Sequence, residues 1–191
     1  MARSRQTPPE LILITGGARS GKSQHALAWA ARFRRRAFIA TAQALDEEMR
    51  QRIARHRGER GAWWTTLEEP IRLAAALQRA QQGHDVVVVD CLTLWLSNLI
   101  LLPGEIDLDT PLRDLVTVLQ SRTAAIAVVT NEVGSGIVPD NPLARRFRDL
   151  CGSLNQRVAA ISDRVLLLVA GRALELPAAA SERRRIIRKA R

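Results

Sequence analysis

The sequence predicts an α/β fold in which a mostly parallel sheet carries helices on both faces. Short apolar or β-branched runs, each too short for a helix and each flanked by turn or polar residues, alternate with longer segments of helical spacing. A regular alternation of this kind favours parallel strands, because each crossover helix returns the chain to the same end of the sheet. The predicted strands are 11–15, 37–41, 86–90, 126–131 and 165–170. The predicted helices are 22–34, 45–57, 69–82, 92–101, 110–123 and 141–161.

Length and charge predict one domain between two basic tails. The 191 residues, 47% of them hydrophobic, suffice for one sizeable core. The net charge is +10, and seven of those charges lie within residues 1–9 and 178–191. The prediction is therefore an N-terminal tail over 1–9, a domain over 10–176 and a C-terminal tail over 177–191. Because the domain itself is only mildly basic, the charge does not favour nucleic acid as a partner.

The cysteines and the hydropathy pattern predict a cytoplasmic protein. Cys91 and Cys151 are far apart and fit neither a disulfide framework nor a zinc site. The most apolar stretch, 86–102, is interrupted by polar residues, so no membrane segment is predicted. The stretch 102–111, with two prolines, a glycine and three acids, predicts a surface loop.

The first predicted strand runs into a glycine-rich motif of the form G-x-x-x-x-G-K-S, and a predicted helix follows. This context is typical of a P-loop, whose backbone N–H groups and helix N-terminus hold the phosphates of a nucleotide. The motif therefore predicts binding of a nucleoside triphosphate. Its residues are Gly16, Gly17, Ala18, Arg19, Ser20, Gly21, Lys22 and Ser23.

Two side chains of the motif and one acid elsewhere predict a Mg²⁺-nucleotide site. Lys22 is expected to reach the β- and γ-phosphates, and the hydroxyl of Ser23 to bind Mg²⁺. Asp90 closes a run of four valines and is the expected second metal contact. The alternative for Asp90 is an N-cap of the helix predicted from Leu92. Arg19 either touches a phosphate or faces solvent.

Four blocks of the sequence, in collinear order, resemble one enzyme family. They are the extended P-loop 14–23, the segment 38–57 with Ala40-Thr41 and Asp46-Glu47-Glu48-Met49, the segment 88–99, and the segment 129–149 with Asn131-Glu132-Val133-Gly134. The chain resembles the bifunctional adenosylcobinamide kinase/adenosylcobinamide-phosphate guanylyltransferases of cobalamin synthesis. The resemblance extends from about residue 11 to residue 171.

The resemblance implies a P-loop NTPase fold with a RecA-like core, homotrimeric assembly and two activities. The first activity phosphorylates adenosylcobinamide with ATP or GTP. The second transfers GMP from GTP to adenosylcobinamide phosphate through a guanylylated histidine, which gives adenosylcobinamide-GDP and pyrophosphate. The implied substrates are thus GTP, ATP, adenosylcobinamide and its phosphate, with Mg²⁺ as cofactor.

Three histidines are candidates for the guanylylated residue. His56 follows the family block and is the predicted catalytic nucleophile, since neutral imidazole can attack an α-phosphate and leave again. Some family members carry two adjacent histidines here, whereas this chain has Arg55-His56. His25 follows the P-loop and either faces the nucleotide or packs, while His84 lies in a turn-like setting. The alternative for His56 is an exposed residue at a helix end.

The remaining candidates surround these groups. The basic residues Arg52, Arg55, Arg57 and Arg60 either hold triphosphate charge or form a solvated helix face. By the resemblance, Thr41 and Gln43 contact the nucleotide and Glu68 receives the guanine or ribose, with helix capping as its alternative. Trp63 and Trp64 pack in the core or stack on a base. Asn131 and Glu132 end the fourth predicted strand, and their role stays open. A kinase with an idle histidine and a P-loop regulatory module that binds nucleic acid are the competing functions.

Overall fold

The computed structural model describes residues 8–44, 46–104 and 107–178. In these ranges the chain forms seven strands, six α-helices and a single 3-10 turn at Gly61–Trp63. The strands are β1 (Leu11–Gly16), β2 (Arg36–Ala40), β3 (Trp64–Glu68), β4 (Val86–Asp90), β5 (Ala125–Val129), β6 (Arg164–Val169) and β7 (Arg172–Leu176). The helices are α1 (Lys22–Ala30), α2 (Glu47–Arg60), α3 (Leu73–Gly83), α4 (Leu92–Ile100), α5 (Asp109–Gln120) and α6 (Pro142–Ala159).

All seven strands belong to one sheet in the order β3-β2-β4-β5-β1-β6-β7. Every neighbouring pair is parallel except β6 and β7. The predicted fold class is therefore confirmed, and the five predicted strands and six predicted helices are all present with small shifts at their ends. The predicted helix 69–82 begins later, at Leu73, because Glu69 forms a turn and accepts hydrogen bonds from the N–H groups of Ile71 and Arg72.

The two edge strands β3 and β7 were missed by the sequence reading. In β3 the sequence Trp-Thr-Thr-Leu-Glu is only partly buried, so it lacks the continuous apolar run of the central strands. All five residues of β7 are exposed. β7 follows β6 through a tight turn at Ala170-Gly171, where both residues have positive φ (50° and 77°). Two-residue hairpin turns of this kind usually have the sequence Asn-Gly or Asp-Gly, so Ala170-Gly171 did not indicate a hairpin.

The core lies on both faces of the sheet but is unequally covered. Alternate residues of each strand point to opposite faces, so Leu11 and Leu13 join one cluster while Ile12 and Ile14 join the other. The larger cluster packs under α3, α4, α5 and α6. The smaller cluster packs under α1 through Ala26 and Ala30. The central strands β1, β4 and β5 are thereby buried on both sides, as expected for a parallel sheet.

The strand register brings the candidate site residues to one edge. Ile14 lies opposite Val129, Val129 opposite Asp90, Asp90 opposite Ala40, and Ala40 opposite Glu68. These five residues form one row across the carboxyl ends of β1, β5, β4, β2 and β3. Ligands of open α/β sheets bind beyond this edge. The P-loop, Thr41 and the segment after β5 all leave the sheet immediately past the row.

Gly16 is the position where the fold depends most strongly on a glycine. Its φ is +144°, and a Cβ atom there would lie 2.3 Å from the carbonyl oxygen of Leu168 in β6. We predict that Gly16→Ala lowers the free energy of unfolding by about 2–4 kcal/mol, from backbone strain and overpacking together. Urea unfolding monitored by circular dichroism measures this. Gly152→Ala in α6 is the matched control, because no atom lies within 4 Å of its added Cβ; a gain of about 0.5–1 kcal/mol is expected there. Equal effects of the two substitutions would contradict the steric account.

Candidate active site

The P-loop connects β1 to α1 and presents its backbone to the edge of the sheet. Gly21 occupies the N-cap position of α1 in the left-handed conformation, with φ of 95°. The N–H of Ser20 is directed at the carbonyl of Gly17 at 3.4 Å, which closes the turn of the loop. Gly17, Ala18 and Arg19 are exposed, whereas Ser20 is buried. This arrangement leaves backbone N–H groups and a helix N-terminus facing solvent, as phosphate binding requires.

Lys22 turns its ammonium group back into the loop. The side chain is buried, and Nζ donates to the carbonyl oxygen of Gly17 and lies 3.4 Å from Oγ of Ser20. A buried ammonium must be compensated by such oxygen atoms or by an anion. Lys22 is thus placed to bind phosphate oxygens at the same position. Arg19 has φ of 57°, an uncommon conformation for a residue with a side chain, and its exposed side chain extends from the tip of the loop.

Ser23 and Asp90 provide oxygen atoms that are suitable ligands for Mg²⁺. Ser23 is half-buried in the first turn of α1, and Asp90 is half-buried at the end of β4, separated from β1 by β5. Hydroxyl and carboxylate oxygens are the hard ligands that Mg²⁺ takes together with phosphates. Asp90 is not the N-cap residue of α4, because Cys91 occupies that position. Within the described ranges no three His, Cys, Asp or Glu residues cluster as a separate metal site.

Thr41 fastens β2 to the end of β4. Its side chain is fully buried, and its hydroxyl donates to the carbonyl of Cys91 and accepts from the N–H of Cys91, both at 2.8 Å. Asn98 of α4 donates to the Thr41 carbonyl at 2.7 Å. Burial, reinforced by the negative charge of Asp90, raises the pKa of the Cys91 thiol to about 12. Thr41 therefore organises the backbone around Asp90, and Gln43, two residues on, is half-buried beside the same edge.

The structure brings two predicted nucleotide-binding residues together at the far end of the row. Arg57 of α2 forms an ion pair with Glu68 at the end of β3, and both side chains are more than half exposed. An exposed pair of this kind contributes little to stability. The ion pair instead positions α2, because it holds the third turn of this helix at the carboxyl end of β3. That position is four strand spacings from β1, about 19 Å.

His56 precedes Arg57 and belongs to the third turn of α2. The side chains of Arg52, His56 and Arg60 lie outside the described part of the structure. Asp46 caps the helix by accepting from the N–H of Met49 at 2.7 Å. Among the α2 side chains that are described, none is buried. The helix thus adjoins the site edge without contributing a buried face to the core.

The other histidines and the tryptophans have separate surroundings. Nδ1 of His84 lies 2.8 Å from the carbonyl of Ala80 at the end of α3, far along the chain from the P-loop. His25 is half-buried on α1. The expectation of a core position is wrong for Trp63, which is 81% exposed. Trp64 is half-buried and packs edge-on against Phe38 with ring centroids 6.2 Å apart.

A polar network beside the P-loop was only partly visible in the sequence. Glu132 Oε1 accepts a hydrogen bond from Oγ1 of Thr15 at 2.6 Å and lies 3.3 Å from Nδ2 of Asn155. Asn155 Oδ1 accepts from Oγ1 of Thr130 at 2.7 Å. The pKa of the nearby Cys151 thiol is raised, mainly by burial and further by the charge of Glu132. The sequence did not indicate that Thr15 and Asn155 contact Glu132, because these residues are distant in sequence.

The comparison with protein families decides what this arrangement belongs to. The profile of the family described as cobinamide kinase / cobinamide phosphate guanyltransferase matches residues 12–176. The chain belongs to this family. The match begins inside β1 and ends with β7, so the family region contains the P-loop, α2 and the network around Glu132. The resemblance inferred from the four sequence blocks is confirmed.

Two relatives in this family match most of the chain. The bifunctional adenosylcobalamin biosynthesis protein CobU of Salmonella typhimurium is 41% identical over 174 residues, which cover 84% of this chain and 96% of the relative. The bifunctional adenosylcobalamin biosynthesis protein CobP of Pseudomonas aeruginosa is 47% identical over 160 residues, which cover 83% and 92%.

A solved structure outside this family shares the fold. It is an ATPase from the type III secretion system of pathogenic bacteria, with a TM-score of 0.51 at 15% identity. The match covers 84% of this chain and 51% of the ATPase, so the chain spans about half of that structure. This likeness supports the P-loop α/β fold alone. None of the helices in the described ranges is long and apolar enough to cross a membrane.

Thr41 offers a test of the geometry around Asp90. We predict that Thr41→Val lowers the free energy of unfolding by about 1–3 kcal/mol, because the buried N–H of Cys91 loses its partner and the Cys91 carbonyl keeps only the bond from the N–H of Trp95. Chemical denaturation measures the change. Thr65→Val is the matched control, since Thr65 is exposed in β3, and a change within about 0.5 kcal/mol is expected. An unchanged free energy of unfolding in Thr41→Val would show that these two hydrogen bonds do not hold the end of β4.

Proposed function

We propose that this enzyme phosphorylates adenosylcobinamide with ATP or GTP and then transfers GMP from GTP to adenosylcobinamide phosphate through His56. The products of the second reaction are adenosylcobinamide-GDP and pyrophosphate. The observation that carries the proposal is the family match over residues 12–176, which unites the P-loop and α2 in one continuous region.

In the kinase reaction the P-loop holds the triphosphate and orients its γ-phosphate. The backbone N–H groups of residues 16–23 and the N-terminus of α1 face the phosphate oxygens. The buried ammonium of Lys22 binds oxygens of the β- and γ-phosphates and stabilises the charge that develops in transfer. Arg19, at the exposed tip of the loop, is placed to contact the same phosphates.

In the guanylyltransferase reaction an imidazole nitrogen of His56 attacks the α-phosphorus of GTP. The bond from the α-phosphorus to the bridging oxygen breaks, and pyrophosphate leaves with that oxygen. A phosphate oxygen of adenosylcobinamide phosphate then attacks the same phosphorus, and the bond to the imidazole breaks. Arg57 and Arg60 follow the nucleophile on α2, one and four residues later, and we assign them to the triphosphate charge.

The guanine or ribose of GTP is assigned to the far end of the site row. Glu68 accepts hydrogen bonds there, and its partner Arg57 links it to the helix that carries His56. We assign the half-buried Gln43 and the backbone of Thr41 to the stretch between this end and the P-loop. Because the described side chains of α2 are not buried, a shift of this helix toward the α-phosphate would cost few apolar contacts.

We assign Mg²⁺ to Ser23 and Asp90, with nucleotide phosphates as its other ligands. Bound there, the ion would neutralise phosphate charge during both reactions. Homotrimeric assembly and a cytoplasmic location complete the proposal. The location is supported by two buried free cysteines, which suit a reducing compartment.

Labelling with GTP that carries radioactive α-phosphorus tests the guanylyl-histidine. We expect an acid-labile label on the denatured wild-type protein and none on His56→Ala, while His56→Ala still phosphorylates adenosylcobinamide. His25→Ala and His84→Ala are the matched controls and should retain the label. Label that persists on His56→Ala would assign the nucleophile to another residue.

The same assay separates the competing functions. Absence of label with intact phosphorylation would leave a kinase whose histidine is idle. If neither reaction occurs but nucleic acid binds with strong salt dependence, a regulatory P-loop module is supported instead. Most of the basic tail 177–191 that would serve such binding lies outside the described residues.

Lys22 tests whether one phosphate site serves both reactions. We predict that Lys22→Ala lowers kcat/KM for phosphorylation and for guanylylation, each by about 10²–10³-fold, because both reactions lose the same charged donor to the transition state. Steady-state kinetics with each nucleotide give the two values, and thermal unfolding verifies that the variant folds. Full kinase turnover in Lys22→Ala would mean that phosphoryl transfer uses another site.

A further inference from the structure

Glu132 occupies a distinctive place beside the P-loop. It follows β5, the strand between the P-loop strand β1 and the strand β4 that ends at Asp90. The backbone N–H of Glu132 donates to the carbonyl of Gly16 at 3.1 Å, so the residue is attached directly to the first glycine of the P-loop. Its carboxylate is assigned neither to Mg²⁺ nor to the nucleotide.

The carboxylate of Glu132 is held on one side only. Oε1 accepts from Oγ1 of Thr15 at 2.6 Å and is 3.3 Å from Nδ2 of Asn155, and no protein partner is described for Oε2. The residue is exposed although one of its oxygens is fixed. Two residues after Glu132, the carbonyl of Gly134 accepts a hydrogen bond from the side chain of Arg148 at 2.7 Å, which anchors the chain that follows. A carboxylate fixed through one oxygen is oriented and can accept a proton with the other.

The other acidic residues at the carboxyl ends of the strands, Asp90 and Glu68, have different roles. Asp90 lies one strand further from β1 and is assigned to Mg²⁺. Glu68 lies four strands from β1 and is paired with Arg57. Glu132 is therefore the acid nearest to the P-loop strand among the described residues at this edge. Lys22, which is placed to hold the γ-phosphate, begins the helix that follows the same strand β1.

We propose that Glu132 is the general base of the kinase reaction, an inference that rests on the proposed function. The substrate hydroxyl oxygen of the acceptor attacks the γ-phosphorus, and the bond from that phosphorus to the β,γ-bridging oxygen breaks. The hydroxyl proton passes to Oε2 of Glu132, and the nucleoside diphosphate leaves with the bridging oxygen. Glu132 later releases the proton to solvent. Thr15 and Asn155 are positioning residues, since they hold Oε1.

The guanylyltransferase reaction has no need of this base. Its nucleophiles are an imidazole and then a phosphate oxygen, and neither must lose a hydroxyl proton during attack. Loss of Glu132 should therefore separate the two reactions, which loss of Lys22 should not. This difference in outcome distinguishes a base from a residue that binds nucleotide or metal.

Glu132→Gln in the full-length protein tests the assignment. We expect kcat/KM for phosphorylation of adenosylcobinamide to fall about 10²–10⁴-fold. Formation of the acid-labile label from α-labelled GTP, and its transfer to separately prepared adenosylcobinamide phosphate, should stay within about threefold of wild type, the range set by normal context dependence. Asp114→Asn is the matched control, because Asp114 is exposed on α5, and it should leave both reactions unchanged.

Glu132→Ala provides the second measurement. Added formate or acetate should restore part of the phosphorylation rate in this variant, because a small carboxylate can take the position of the missing base. Glutamine and alanine variants that lose both reactions equally, or a loss reversed by raising Mg²⁺, would overturn the proposal in favour of nucleotide or metal binding. A kinase-deficient Glu132→Ala that small carboxylates fail to rescue would overturn it in favour of a structural role. A wild-type protein without either reaction would instead refute the proposed function.

Discussion

The parallel ladder that aligns Ile14, Val129, Asp90, Ala40 and Glu68 places the ends of five strands at one level. Hydrogen bonds between backbones fix this alignment, and burial of the central strands on both faces prevents a slip of one residue, which would turn each side chain to the opposite face. The P-loop, Thr41 and the segment after β5 leave the sheet just beyond this row. The geometry of the site therefore depends on the register before it depends on any single side chain.

The unequal covering of the sheet divides the site into a rigid and an adaptable part. Strand β1 is buried on both faces, and α1 packs on the sheet through Ala26 and Ala30, so the P-loop between them has little freedom. In contrast, α2 is attached at its capped start and through an exposed ion pair near its end. A nucleotide held firmly at its phosphates and a nucleophile on a loosely packed helix suit two successive reactions at one site. The first needs a fixed γ-phosphate, and the second needs access to the α-phosphate.

Acidic side chains at the edge are separated by strand order rather than by sequence. Asp90 and Glu68 end two different strands, Glu132 follows a third, and each has its own partners or surroundings. The intervening strand β5 keeps Asp90 two strand spacings away from the P-loop strand, while Glu132 is hydrogen-bonded to that strand directly. Strand order thus gives similar carboxylates different distances from a bound phosphate, which permits a metal ligand and a base to coexist.

The sequence by itself determined the features whose signals are local. The glycine spacing and Lys22 identified the P-loop, apolar runs located five strands, and helical periodicity located six helices, because each depends on residues that are neighbours in the chain. The tertiary structure alone decided the rest. The sequences of β3 and β7 have no strong strand pattern of their own. They form strands because their backbones pair with the neighbouring strands β2 and β6. The bond from Thr15 to Glu132 joins residues 117 positions apart, and Thr41 meets the backbone of Cys91 across 50. Contacts of this range follow from strand order and register, which a single sequence encodes only through the complete packing of its core.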